Sequence, residues 1–583
     1  MNIATPLPDT GEVMKHVRHM AARMPYRKSG LGQDLVAARY VVDVLQGYGL
    51  EASLQEFETY DSDPGTASLE LLGAGGRSIE ARPCVHIEPT SPEGFRGELI
   101  HVNAGGESDY EGKSVQGKIV LAEVSYAPAT PEKARLAAKH GAAGIILMNW
   151  GLSDDVNQPW RGLKAVWGNP TPGTFHDIPK LFGLSISRRD GEELRNRLAS
   201  GPVELLAKVT ASRVWRKLSQ PVAWLRAPEH SPERQRFVIV SGHLDSWNPG
   251  VTDNITGNAA MMEIARMLAL KQRDLRRSVV FCFWNGHEVA EAAGSTYFVD
   301  AMWERIHTDA VAYLNLDSLG MKGTSEFHID ASPELIEFSE ALARKVMDET
   351  LPIRSTHLSR IGDQSFFGVG VSAVTGRHGY DGATVEQYHG ATLGWYNHTE
   401  HDTLDVVDEC ILARDVQYWA RCVEELATRP VLPQRFLPRV DDLRQRFQAM
   451  LAGKRDPAEL AMILPLIDRL RVQVEGLDHA LVRLESDGDE EARAPCNALC
   501  LRLARLLTFI SSSTSGKYGQ DSYGVSTLAL PIPMLHALED YQAVEPDSVP
   551  AKLLATELMR LRHVITDALE TASAHLAAWE RGS

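Results

Sequence analysis

From Arg236 to Val407, short and wholly apolar runs alternate with stretches of helical periodicity, and each run is followed by polar residues. Phe237-Val238-Ile239-Val240 leads into Ser241-Gly242-His243, and the run from Ser278 to Trp284 leads to His287-Glu288. The run from Ala310 to Leu316 ends at Asp317, and a fourth spans Val371 to Thr375. Helices are expected near 258–270 and 333–348. Strands with no polar face are buried on both sides, and strands separated by helices build an α/β sheet. In such sheets a site lies beyond the carboxyl ends of the strands. That pattern limits this part of the chain to an α/β sheet covered by helices on both faces.

The flanking sequence has a different texture. The stretch from Val13 to Tyr48 reads as helical, with Leu35, Ala38, Val42 and Leu45 on one face and Gly49 as a stop. A strand-like stretch follows at 50–57. Residues 60–213 are β-rich and broken by Gly73-Ala74-Gly75-Gly76 and Pro170-Thr171-Pro172-Gly173, with buried strands at 119–121 and 144–148. No cluster of metal ligands or nucleophiles is visible there. After Val440 the chain is nearly all helical: Leu460, Ile463, Leu464, Ile467, Leu470, Val474 and Leu477 recur at helical spacing, and 498–509 and 551–579 are amphipathic. Three parts are expected: a split core over 1–59 and 214–439, an inserted β-rich domain over 60–213, and a helical domain over 440–583.

Charge and cysteine usage exclude several classes. Acids outnumber bases 77 to 60, a net charge of −17, whereas a nucleic-acid binder shows a basic excess or stripe. The six cysteines form no CxxC pair and are too few for a disulfide scaffold. No apolar run reaches 18 residues, so no membrane span is expected. The first twenty residues lack the apolar stretch of a signal peptide, which makes the cytoplasm the expected compartment; a secreted chain trimmed of its signal would read the same.

The polar residues past the strands carry the chemistry. They are His243, Asp245, Asp253-Asn254, His287-Glu288, Asp317 and His398-Thr399-Glu400-His401-Asp402-Thr403. Singly, an Asp after a strand caps a helix and a lone His is a surface or core residue. Together, at the element ends of one sheet, they describe a site. Three carboxylates and two imidazoles without a thiolate favour zinc, manganese or cobalt.

Ser241-Gly242-His243-Leu244-Asp245-Ser246-Trp247 followed by Asp253-Asn254 resembles the zinc peptidases of family M28, in particular the glutamate carboxypeptidase and transferrin receptor-like branch. Pro25-Tyr26-Arg27 is similar to the family's N-terminal piece. Val115-Gln116-Gly117-Lys118-Ile119-Val120 and Gly141-Ala142-Ala143-Gly144-Ile145-Ile146 resemble its inserted protease-associated domain, and the helical tail resembles its dimerisation domain by position. The resemblance implies two divalent metal ions, expected to be zinc. His243, Asp253, Glu288, Asp317 and His398 are the implied ligands, with Asp253 bridging and its bond to Asn254 cis. Asp245 is implied as a carboxylate orienting His243 through its other ring nitrogen. The implied activity is hydrolysis of amide bonds in small peptides or N-acyl amino acids, by a homodimer.

One position departs. The family places a Glu-Glu pair after this strand, the first glutamate being the general base; here the pair is His287-Glu288. His287 then serves as an alternative base, or supports a different reaction on the same metals, such as an unusual amide hydrolysis or a lyase-type proton transfer. A third reading is a catalytically silent binding or scaffold homologue, which the intact ligand positions weaken. Arg377, Tyr396 and Asp363 lie in segments that build the substrate pocket of the family. They do not separate a hydrophobic aminopeptidase pocket from a cationic one.

Overall fold

Four parallel strands form the centre of the computed structural model, which describes residues 7–358, 364–486, 489–522 and 524–582. In spatial order they are Ala373–Gly379, Ala310–Asn315, Phe237–His243 and Ser278–Trp284. The register sets His243 opposite Trp284 and Ser241 opposite Asn315. The segments that follow these strands therefore emerge along one edge. Successive side chains alternate between faces: Val238 and Val240 belong to a core shared with the helices Thr10–Arg23, Gln33–Gly47, Thr256–Ala269 and Glu409–Thr428, while Phe237 and Ile239 pack with Trp284, Phe298 and Phe366 on the other side.

The sheet is mixed. Glu326–Ala331 runs antiparallel beside Ala373–Gly379 and carries Ile353–His357 at the edge. On the other side Ser278–Trp284 pairs antiparallel with Glu204–Leu225. That strand and Glu51–Leu71 form a long antiparallel ribbon, with Glu51 opposite Trp224, Leu71 opposite Leu205 and an irregularity between Pro64 and Ala67. Beyond the core, the ribbon adds Phe95–His101 and then the parallel strands Ile119–Glu123, Gly144–Met148 and Phe182–Ile186. The limits drawn at 60 and 213 fall inside the two ribbon strands, so the inserted domain and the core share hydrogen-bonded sheet. The insert still has its own apolar core, built around Ile119, Leu121, Ile145, Leu147 and Leu184.

The C-terminal helices Phe436–Leu451, Ile463–Ser486, Glu490–Ser512 and Val549–Gly582 bury Leu470, Val474 and Leu477 in the same core as the sheet's helices. Among the described residues no helix is long and apolar enough to cross a membrane.

Candidate metal centre

His243 is the last residue of its strand and is buried. Its Nε2 lies 2.8 Å from Asp253 Oδ1 and 3.5 Å from Asp317 Oδ1. His398 Nε2 lies 3.2 Å from the other oxygen of Asp253 and 3.3 Å from Glu288 Oε2. Asp253 thus stands between two imidazoles, one oxygen toward each, as a bridging carboxylate would. Donor atoms of His243, Asp253 and Glu288 lie within 4.8 Å of one another. The five residues read as ligands form one connected cluster, with Asp317 beside His243 on one side of Asp253 and Glu288 beside His398 on the other.

The electrostatics suit cations. Burial by itself would lower the pKa of His243, yet the carboxylates of Asp253 and Asp317 hold it well above its ordinary value. Burial likewise opposes ionisation of Asp253, and the imidazoles of His243 and His398 overcome it. Buried carboxylates paired with two buried imidazoles, with nitrogen and oxygen donors only, fit a pair of divalent ions of the zinc, manganese or cobalt type.

The surrounding residues fix these donors. The Asp253–Asn254 peptide is cis. Asp402 holds that loop: its Oδ1 accepts from Thr252 N at 2.9 Å and Thr252 Oγ1 at 3.0 Å, and its Oδ2 from Asp253 N at 3.0 Å. Asn397 Nδ2 donates to Asp253 Oδ2 at 2.6 Å, and Trp247 Nε1 to Glu288 Oε2 at 3.0 Å. Arg27, buried, donates to the carbonyls of Leu244, Pro249 and Gly250 and so closes the loop after the His243 strand. This gives Pro25-Tyr26-Arg27 a physical role.

Asp245 works differently from the expectation. His243 Nδ1 donates to the main-chain carbonyl of Asp245 at 2.9 Å, not to its carboxylate. The carboxylate instead accepts the N–H groups of His287 and Glu288, each at 3.1 Å. Two residues past a ligand, the backbone is close enough to reach Nδ1 directly, which frees the side chain to cap a turn whose amides have no helical partner. Burial raises this carboxyl to about 6.

His287 stacks on His243 with ring centroids 4.3 Å apart and planes inclined by 19°. It also lines a cavity of about 440 Å³ together with Asp253, Glu288, Asp317 and His398. Arg377 lines the cavity as well. Tyr396 does not: it is buried, with its hydroxyl 3.4 Å from that of Tyr380, because the turn before His398 folds it inward. Asp363 lies outside the described residues.

Several contributors were not legible in the sequence. Arg161, from the inserted domain, lines the cavity, stacks over Trp150 at 4.9 Å and brings Nη1 to 3.1 Å from His398 Nδ1. The carbonyl of Trp160 lies 3.1 Å from that same Nδ1. These two groups hold the Nδ1 edge of the ring and leave Nε2 turned toward the carboxylates of Asp253 and Glu288. Glu291, buried at the cavity wall, has its carboxyl pushed upward by burial, an effect that Lys164 opposes. Nothing in the spacing of Trp160-Arg161-Gly162 marks it as part of a site.

Residues 225–422 match Peptidase family M28, and residues 95–194 match the PA domain. The probable glutamate carboxypeptidase AMP1 of Arabidopsis thaliana is 25% identical over 518 residues, 75% of this chain and 71% of that protein. Human transferrin receptor protein 2 is 24% identical over 311 residues, 45% of this chain and 38% of that protein. The crystal structure of BSAP, a zinc aminopeptidase from Bacillus subtilis, superposes with a TM-score of 0.55 at 19% identity, over 74% of this chain and 98% of that one. Its likeness shows the fold. With the sheet, the insertion and the five clustered donors, these matches establish that the chain carries a Peptidase family M28 domain with an inserted PA domain.

Proposed function

We propose that the protein is a zinc-dependent peptidase with two metal ions, cutting amide bonds in small peptides or N-acyl amino acids that carry a carboxylate near the scissile bond. The observation that carries this reading is that Asp253, Glu288, Asp317 and His398 line one cavity, with His243 buried directly behind Asp253 and Asp317. The family match and the zinc aminopeptidase fold support it. Two guanidiniums on the same wall, Arg161 and Arg377, support the preference for a carboxylate, which an arginine fork binds through paired hydrogen bonds. The match to a probable glutamate carboxypeptidase agrees with that preference.

Divalent ions held by these five residues would supply Lewis acidity, polarising the amide carbonyl and acidifying a water molecule. The chain's own residues do the rest. Asp245 fixes the turn that carries His287 and Glu288, Trp247 orients the Glu288 carboxylate, and Trp160 and Arg161 hold the ring of His398 at its Nδ1 edge. We assign His287 the role of the proton-accepting group, which its ring on the cavity wall beside His243 supports. Its imidazole takes the proton from water and returns it to the leaving amine, or binds the group that reacts.

Elemental analysis of the purified chain should find about two equivalents of zinc. A chelator should abolish hydrolysis, and zinc should restore it. A panel of dipeptides and N-acyl amino acids, each with its carboxylate free or amidated, should show faster turnover of the free acids. A chain that binds no metal and cuts none of the panel is a silent scaffold homologue, and the proposal fails.

A further inference from the structure

Segment 160–168 of the inserted domain grips two turns that carry metal ligands. Non-glycine residues in those turns have left-handed backbone: Glu291 at φ 49°, Ala292 at φ 55° and His398 at φ 61°. Residues with a Cβ hold such conformations only where their surroundings over-determine them. For His398 the surroundings are Trp160, whose N–H donates to the His398 carbonyl at 3.0 Å and whose carbonyl faces its Nδ1. For the turn after Glu288 they are three residues of the same segment. Gly168 N–H donates to the Glu291 carbonyl at 2.7 Å. The buried ammonium of Lys164 donates to the carbonyl of Ala290, and to that of Tyr60 at 3.3 Å, tying the turn to the ribbon strand Glu51–Leu71. Gly162 lies against the turn so closely that a Cβ there would stand 2.6 Å from Glu291 Oε1 and 3.2 Å from the Glu288 carbonyl.

We propose that Lys164, seated beside Gly162, is a positioning residue for the metal centre, so that the inserted domain sets the backbone of Glu288 and metal affinity is a joint property of two domains. Asp245 holds the turn from the core side through the amides of His287 and Glu288; Lys164 holds it from the insert side through the carbonyl two residues later. Lys164 suits the task because an ammonium has three donors and can bridge carbonyls of separate segments. Burial works against its charge, and Glu291 and Asp61 on either side support it.

The inference rests on the two-metal reading above, and the test separates the two. Full-length wild type, Lys164→Met, Lys164→Arg and Gly162→Ala are stripped of metal and titrated with Co²⁺ against a chelator while the visible spectrum of the bound ion is recorded. Amide hydrogen exchange is measured on the metal-free proteins, far-UV circular dichroism serving as the check on folding. Lys164→Met and Gly162→Ala should bind Co²⁺ about 10–100-fold more weakly, the scale of losing a group that orients a ligand, and with an altered spectrum. Lys164→Arg should restore the wild-type spectrum. The amide of Ala292, which donates to the His287 carbonyl at 3.1 Å, should exchange faster in Lys164→Met. Wild-type affinity, spectrum and exchange in Lys164→Met would overturn the proposal, whatever Gly162→Ala does. Should Lys164→Met not fold, Lys164→Gln, too short to span both carbonyls, is read in its place with the same outcomes. A wild type that binds no Co²⁺ defeats the two-metal reading instead, and the exchange rates still decide the role of Lys164.

Discussion

His287 stacks face to face on the imidazole of His243, which puts its ring on the cavity wall beside the candidate ligands, where an imidazole can accept a proton from water. His287→Ala should therefore lose about 10²–10⁴ in turnover, the usual contribution of a positioned base. It should keep its metals, because Asp245 grips the turn through main-chain amides that the substitution leaves in place. Steady-state kinetics with metal analysis checks this; unchanged turnover would deny His287 a chemical role. His287→Glu should gain activity toward common dipeptides if the native residue has retuned the site away from them. The candidate ligands were legible because His243, Glu288 and Asp317 each follow an apolar run, and because Ser241–Trp247 with Asp253-Asn254 resembles the motif of a known family. Arg161 and Trp160 were not, because one acts through a guanidinium in a stretch of ordinary composition and the other through its main chain, which carries no sequence signal.

At the scale of elements, what could be read was what is uniformly apolar. Three of the central strands are buried throughout and stand out as runs; the fourth, expected at 371–375, is Ala373–Gly379 and carries Thr375, Arg377 and His378, and Ile353–His357 alternates half-buried and exposed positions and gives no run. The ribbon hides for another reason. Tyr60-Asp61-Ser62-Asp63 looks like a turn, yet it is strand: Ser29 donates to Asp61 at 3.2 Å and Arg216 to Asp63 at 2.6 Å, so pairing with distant groups lets a polar stretch sit within the sheet. The insert's helix Thr130–Lys139 shows the same device at Lys133, whose buried ammonium donates to the carbonyls of Ala104 and Tyr126. Burial lowers its pKa from 10.5 to about 7. Between these values the unfolded chain binds more protons than the folded one, so this lysine's contribution to stability should grow with pH from about 7 to 10.5, at up to about 1.4 kcal/mol per pH unit. Denaturant unfolding of wild type and Lys133→Met across pH 6–10 checks this. The stability difference should move in favour of wild type as pH rises above about 7 and lie flat below it. A difference independent of pH would mean that Lys133 keeps an ordinary pKa when folded.

The whole molecule is one connected body of sheet and helix, and this decides how its assembly can be tested. The tail was expected to form a dimer interface. The helices Ile463–Ser486 and Val549–Gly582 leave large apolar side chains in solvent: Val472 is 69% exposed, Val482 54%, Leu553 67% and Val564 46%. Single exposed apolar residues are ordinary, but several on two helices of one bundle are what an interface presents before its partner arrives. Symmetric dimers are the commonest assembly, and a twofold contact would bring each helix against its own copy or its neighbour's. Light scattering on the intact chain should therefore report about twice 64.3 kDa. Deleting residues 440–583 is a poor test of the interface, because Leu470, Val474 and Leu477 belong to the core that supports the catalytic sheet, and their loss would unfold it. The double substitution Val472→Glu with Leu553→Glu changes only the exposed surface. It should yield a folded monomer with metals in place, since neither residue touches the cavity. A monomeric wild type would contradict the expectation, and a dimer that survives the double substitution would move the interface to another face.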